Sequence, residues 1–215
     1  FDEALAVLEG ARELGAEHAV VMGLALSGKG DLVGARVALE RAKKADTART
    51  FAEEIAAELA EVAYAMGDLA EAEKKARSVV AVAGEGSPRP LLRARNLLGK
   101  LLLAAGSWDE AEAHFASDAQ VAADLGLVPE ALRARLNRAI AVQSKGRVDE
   151  AAEMLRAVAA SAEACGETRT HAYALSNLAV VAWTLRDYGT ALECLERTFG
   201  LFGQLGASAM IAHTV

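Results

Sequence analysis

The chain has 215 residues, 53% of them apolar and only 5% aromatic, with a net charge of −7 from 30 acids against 23 bases. That acidic balance argues against a nucleic-acid partner, which calls for a basic stripe, and no apolar run reaches the ~20 residues that span a bilayer. Cys165 and Cys194 are too few for a disulfide framework or a thiolate metal site and read as two small buried thiols. With no basic-then-apolar leader at the start, a cytoplasmic location is expected.

The abundance of alanine and the scarcity of aromatic residues favour helix over sheet. Residues 2–14 carry apolar side chains at helical spacing and precede Gly15. Five helix pairs then follow. First helices are predicted at about 16–28, 50–66, 89–105, 129–145 and 168–185. Second helices are predicted at about 31–45, 68–83, 108–125, 147–164 and 187–203. Between the two helices of each pair stands one phrase, clearest as Gly67-Asp68-Leu69-Ala70-Glu71-Ala72, Gly106-Ser107-Trp108-Asp109-Glu110-Ala111 and Gly146-Arg147-Val148-Asp149-Glu150-Ala151. Its closing alanines, at 35, 72, 111, 151 and 191, are 37, 39, 40 and 40 residues apart. A fixed period of this size marks a repeat array rather than a single-core domain.

Asp31, Asp68, Asp109, Asp149 and Asp187 lie at or near the second-helix starts, where a carboxylate can cap orphan N–H groups and meets the positive end of the helix dipole. Between pairs, Gly84 to Pro90, Gly126 to Pro129 and Cys165 to Thr168 carry breaker chemistry. The units so defined are about 16–48, 49–87, 88–126, 127–166 and 167–205, with partial units at 1–15 and 206–215. The truncated phrase at Phe1 and the helix start after Gly206 make the chain an expected piece of a longer single array.

Counting from each turn alanine exposes a finer register. Twelve residues before it stand small residues, Gly23, Ala60, Gly99, Ala139 and Ala179. One position earlier are Met22, Leu59, Leu98 and Leu178, with Arg138 as the departure. Four residues after the alanine come Leu39, Phe115, Leu155 and Leu195, and the weak Ala76, expected to pack into the following unit. Small residues at such points let helix axes approach closely. This register resembles the tetratricopeptide repeat, in the longer-unit form of bacterial regulators of the maltose-activator type and of kinesin light chain. The resemblance implies an all-α, right-handed α-solenoid of antiparallel helix pairs. It also implies that first helices line a concave face, where a protein or peptide segment docks.

Carried onto this chain, the resemblance places Glu54, Glu58, Glu61 and Tyr64 on that face, then Arg93, Asn96 and Lys100. Arg133, Leu136, Asn137 and Ile140 follow, and Tyr173, Ser176, Asn177, Val180 and Trp183 complete it. Asn137 and Asn177 share one register position, and carboxamides there can both donate to and accept from an extended backbone. Arginines and Lys100 dominate the third and fourth first helices, against Glu53, Glu54, Glu58 and Glu61 in the second, so an acidic partner segment is expected. Trp183 is a candidate aromatic anchor.

Catalytic chemistry is not legible. His18, His114, His171 and His213 are scattered without ligand spacing, paired acids such as Asp109 and Glu110 fall in capping regions, and no nucleophile, base and orienter converge. No enzyme activity, metal or cofactor is expected. A non-catalytic interaction module is the leading reading. A sensory or regulatory domain of a larger signalling protein, and a dimerisation or spacer element with possible self-association, are the alternatives.

Overall fold

A computed structural model describes residues 15–82 and 87–205. The expected helix over 2–14, the connector glycines at 84 and 86, and the helix start after residue 205 lie outside the described residues. Those described form ten helices and no strand. They are α1 (Ala16–Lys29), α2 (Leu32–Ala45), α3 (Ala52–Ala65), α4 (Leu69–Val82) and α5 (Pro88–Ala104), then α6 (Trp108–Asp124), α7 (Val128–Ser144), α8 (Val148–Ala164), α9 (Thr168–Thr184) and α10 (Tyr188–Gln204). Each helix predicted within the described residues is present, with ends within two residues of the sequence reading. The fold is an all-α helical repeat of antiparallel pairs.

Contacts group the chain into two compact units, Phe1–Leu98 and Gly99–Val215. The core of the first is built from α1–α3 residues such as Val20, Leu39, Ile55 and Leu59, and from Ala60, Ala76, Val79 and Leu97. The core of the second joins Leu136, Leu155, Val158, Leu175 and Leu178, with Phe115 in a smaller cluster beside Ala111 and Ala141.

The repeated phrase works as a helix stop followed by a helix start. Its glycine takes a left-handed backbone, φ +83° at Gly67, +78° at Gly106 and +80° at Gly146. The glycine N–H and the next N–H then bond back to the helix end, as in Gly67 N–H to Tyr64 O (3.0 Å) and Asp68 N–H to Ala63 O (2.9 Å). This satisfies carbonyls that the helix itself leaves open. The fifth copy has Arg186 at φ +63°, a conformation costly for a residue with Cβ. Arg186→Gly is therefore expected to stabilise the chain by about 0.5–1 kcal/mol, glycine's greater unfolded freedom offsetting part of the relieved strain. Urea unfolding of the two proteins checks this, and an unchanged midpoint would contradict it.

Only part of the capping expectation holds. The carboxylates of Asp31, Asp68 and Asp187 accept from the N–H groups of Gly34 (2.9 Å), Glu71 (3.1 Å) and Thr190 (3.1 Å). The Thr190 bonds hold the Asp187 carboxyl below its usual range. Asp109 and Asp149 instead lie inside the first turn, because Ser107 and Arg147 occupy the N-cap positions. Two further expectations change. The bulky residue after each turn makes its tight approach within its own pair, since a methyl group on Gly23 would stand 2.6 Å from Leu39 Cγ. Leu39 also belongs to a cluster with Ile55 and Leu59 of the following pair, so it serves both. Of the two cysteines, both free, Cys194 is buried but Cys165 is exposed, because it caps the C-terminus of α8.

Candidate partner-binding face

Of the eight residues singled out as a partner-binding set, Arg93 and Asn96 fall in the first compact unit, and Lys100, Arg133, Asn137, Tyr173, Asn177 and Trp183 in the second. In the first unit Arg93 forms an ion pair with Glu58, and Asn96 is buried at 4% exposure. Asn96 is packed between the helices, whereas Arg93 is half-buried. The opposition of acidic and basic first helices is thus partly consumed internally, by a contact between the two.

In the second unit, α7 and α9 repeat one register. Arg133 matches Tyr173, Asn137 matches Asn177, and Ile140 matches Val180. The matched positions differ in accessibility. On α7, Arg133 and Ile140 are half-buried and Asn137 is only 9% exposed. On α9, Tyr173 is 37% exposed, Val180 54% and Trp183 66%, with Asn177 half-buried between them. Lys100 is half-buried on α5. The open stripe is therefore that of α9, and residues 173, 177, 180 and 183–184 recur at one-turn spacing along it.

Two aromatic contacts hold this stripe. Tyr173 meets Phe202 of α10 edge-on, with ring centroids 5.6 Å apart, and Trp183 meets Tyr188 at 5.0 Å. Such pairs fix ring orientation while leaving one face available. Burial raises the Tyr173 phenol above its ordinary value, with Arg169 opposing, so it stays a neutral donor at neutral pH. Asn177 Nδ2 donates one of its two hydrogens to Tyr173 O at 2.8 Å, so the carboxamide keeps its oxygen as an acceptor and one N–H as a donor. The bond to Tyr173 O fixes the orientation of the Asn177 carboxamide, which retains both an acceptor and a donor.

The basic patch is also reduced. Arg138, which breaks the aliphatic register, lies with Nη2 3.6 Å from Glu112 Oε1. Glu112 of α6 further accepts from Lys145 and Arg147, each at 2.9 Å. Lys145 reaches Asp109 at 2.5 Å, and Arg147 grips Glu150 through two nitrogens. This six-residue network centred on Glu112 was not foreseen. The repeat ruler contained the signal: Glu112 follows a turn alanine by one, the position of Ala152 in the next pair, and Ala152 shares a buried cluster with Leu178, the register match of Arg138.

Reactive chemistry does not converge on this face. Burial raises the Cys194 thiol and, ahead of the opposing charge of Glu163, lowers His171, so both are neutral at neutral pH. Among the described residues no group of three or more histidine, cysteine or acidic side chains could hold a metal ion, and no helix is long and apolar enough to cross a membrane. What α9 can do is receive apolar side chains against Val180 and Trp183 and hydrogen-bond a backbone through the Asn177 carboxamide.

Comparison with known proteins gives a consistent picture. The family model described as tetratricopeptide repeat matches residues 57–124 and 136–198. No curated protein sequence matches. Among solved structures, a Rap protein complexed with competence and sporulation factor is similar over 95% of this chain and 58% of its own, with TM-score 0.77 and 16% identity. The Rap conjugation gene regulator of plasmid pLS20, in complex with the Phr* peptide, is similar over 88% of this chain and 53% of its own, with TM-score 0.76 and 16% identity. Kinesin light chain-type repeats of Podosopora anserina are similar over 87% and 94%, with TM-score 0.56 and 22% identity. The chain thus spans little more than half the length of these two Rap proteins.

Proposed function

The chain belongs to the tetratricopeptide repeat family, and from that premise we propose that it is a protein-interaction module that binds a partner segment on the first-helix face, without catalysis. The observation that carries this reading is the α9 stripe of Tyr173, Asn177, Val180 and Trp183. A tryptophan and a valine more than half exposed, flanked by a hydrogen-bond acceptor, are what an apolar peptide anchor needs. Of the similar Rap structures, one is in complex with competence and sporulation factor and the other with the Phr* peptide, and the second supports a peptide as the class of partner. Arg133, half-buried on α7, adds positive charge toward an acidic residue of that segment.

Peptides selected by display against the whole chain test the reading. Trp183→Ala is expected to weaken selected peptides roughly tenfold or more, as loss of an aromatic anchor does. Asn177→Ala is expected to cost a few-fold, for one hydrogen bond, and Asn137→Ala less, because Asn137 is buried. Fluorescence anisotropy reads all three. Unchanged affinity in Trp183→Ala would remove α9 as the site. Light scattering of the same samples separates partner binding from self-association or a spacer role.

A second reading is favoured by one observation. Similar Rap structures extend well beyond the matched region, and one is described as a gene regulator. On that reading the module is the sensory part of a cytoplasmic regulatory protein, a single array whose occupancy controls another domain.

A further inference from the structure

A crevice of about 340 Å³ opens in the first compact unit, lined by Lys43, Asp46, Arg49, Ile55, Leu59 and Lys75 together with Ala52, Ala56 and Ser78. Its origin lies in the repeat. Helix α2 has 14 residues where α6 and α8 have 17, so it stops about one turn early. In those longer helices the positions matching Lys43 are Ala119 and Ala159, both buried against neighbouring helices. At the first junction the missing turn is replaced by a loop, and exposed Lys43 stands at the rim of the space left open.

The lining combines two chemistries. Half-buried Ala52 and Ala56 of α3 form an apolar floor at which the nearly covered side chains of Ile55 and Leu59 show their edges. Around it stand three cations and one acid. The acid is already committed: Asp46 accepts from Thr50 N–H with one oxygen and from Phe51 N–H with the other, both at 2.8 Å. Lys75 is shared with Glu71 at 3.1 Å. Lys43 and Arg49 are exposed, and Arg49 is held at φ +57°, a left-handed conformation that glycine would adopt without strain. Unlike Arg186, which shares this backbone conformation, Arg49 lines a crevice, so its guanidinium is placed beside a ligand space. The crevice therefore offers local positive charge above a greasy floor in a chain whose net charge is −7.

We propose that this crevice binds a small amphipathic carboxylate, with the anionic head between Arg49 and Lys43 and a short aliphatic tail against Ile55 and Leu59. The volume lies at the lower end of small-molecule sites, which fits a single short chain. Arginine suits the head because its fork donates two parallel hydrogen bonds to a carboxylate. This site is independent of the peptide face and can fail without affecting it.

Octanoate is the probe, titrated into the whole chain carrying methyl-labelled isoleucine and leucine and followed by NMR. Saturable shifts of the Ile55 and Leu59 methyl signals are expected. Octanol, which lacks the charge, and inorganic phosphate, which lacks the tail, are each expected to bind roughly tenfold more weakly or not at all. Arg49→Gly removes the guanidinium while preserving the backbone conformation, and is expected to weaken octanoate roughly tenfold with an unchanged circular dichroism spectrum. Ala56→Leu, which fills the floor without altering charge, is expected to block binding. The proposal is overturned if the two methyl signals do not shift saturably, if octanol binds as well as octanoate, or if Arg49→Gly keeps full affinity.

Discussion

Phe115→Ala is expected to destabilise the second compact unit by about 3–5 kcal/mol, the cost of deleting a fully buried aromatic side chain from a core that cannot collapse around the gap. Phe115 has no exposed surface and sits beside Ala111 and Ala141. The reason a phenylalanine fits is Gly99. A methyl group on Gly99 would stand 2.5 Å from Phe115 Cε1 and 2.6 Å from Cζ, well inside contact distance. Gly99→Ala alone is thus expected to cost about 1–3 kcal/mol through overpacking. In the next pair the same two register positions hold Ala139 and Leu155, both fully buried. Gly99→Ala combined with Phe115→Leu copies that solution and is expected to return to within about 1.5 kcal/mol of the parent. Chemical denaturation of the parent, Gly99→Ala, Phe115→Leu and the double variant measures the coupling. Costs that simply add would show that glycine and phenylalanine were not selected for one another.

The elements were legible because their signals are local. Apolar spacing marks each helix, and a left-handed glycine marks most of the described stops, so the boundaries follow from a few adjacent residues. Even the caps can be sorted by the same ruler: Asp31, Asp68 and Asp187 stand four residues before their turn alanine and accept an N–H, whereas Asp109 and Asp149 stand two before it and do not cap. The candidate face was legible only in part, because accessibility depends on what packs above a residue. Asn137 and Asn177 are one residue type at one register position, yet α9 leaves the second more open than α7 leaves the first. Charge partners were the least legible. Arg93 read as a free base until Glu58, 35 residues away, was placed beside it. Pattern within a helix cannot reveal which neighbour a long side chain reaches.

Arg138 carries the same lesson into an expected result. At the α6–α7 contact the pair Glu112 and Arg138 replaces the Ala152 and Leu178 found at the matching positions of α8 and α9. Glu112 is the centre: its hydrogen bond from Lys145, then the charges of Arg147, Lys145 and Arg138, hold its carboxyl below the ordinary 4.5 against the opposing effect of burial. Glu112→Gln removes the charge and leaves three cations facing a neutral amide, and is expected to cost about 1.5–3 kcal/mol, or roughly 3–10 °C in Tm. The sign of the pH dependence follows from the direction of the shift. A carboxyl depressed in the folded state stabilises above its unfolded value and loses that contribution as pH falls through the folded value. Asp109 is depressed as well, by Lys145, so the parent should lose stability progressively below about pH 4.5, and Glu112→Gln should lose less over the same range. Lys145 is raised above 10.5 by Asp109 and Glu112, which places the alkaline limit of the same network above that value. Glu112→Ala with Arg138→Leu installs the apolar pair of the next contact. Because exchanging a partly buried ion pair for packed apolar side chains is often neutral or favourable, the double variant is expected to recover most of the loss and to show the weaker acid dependence of Glu112→Gln. Thermal unfolding between pH 3 and 8 separates the two effects. A double variant as unstable as Glu112→Ala alone would mean that Lys145 and Arg147, not Arg138, are what Glu112 is there to hold.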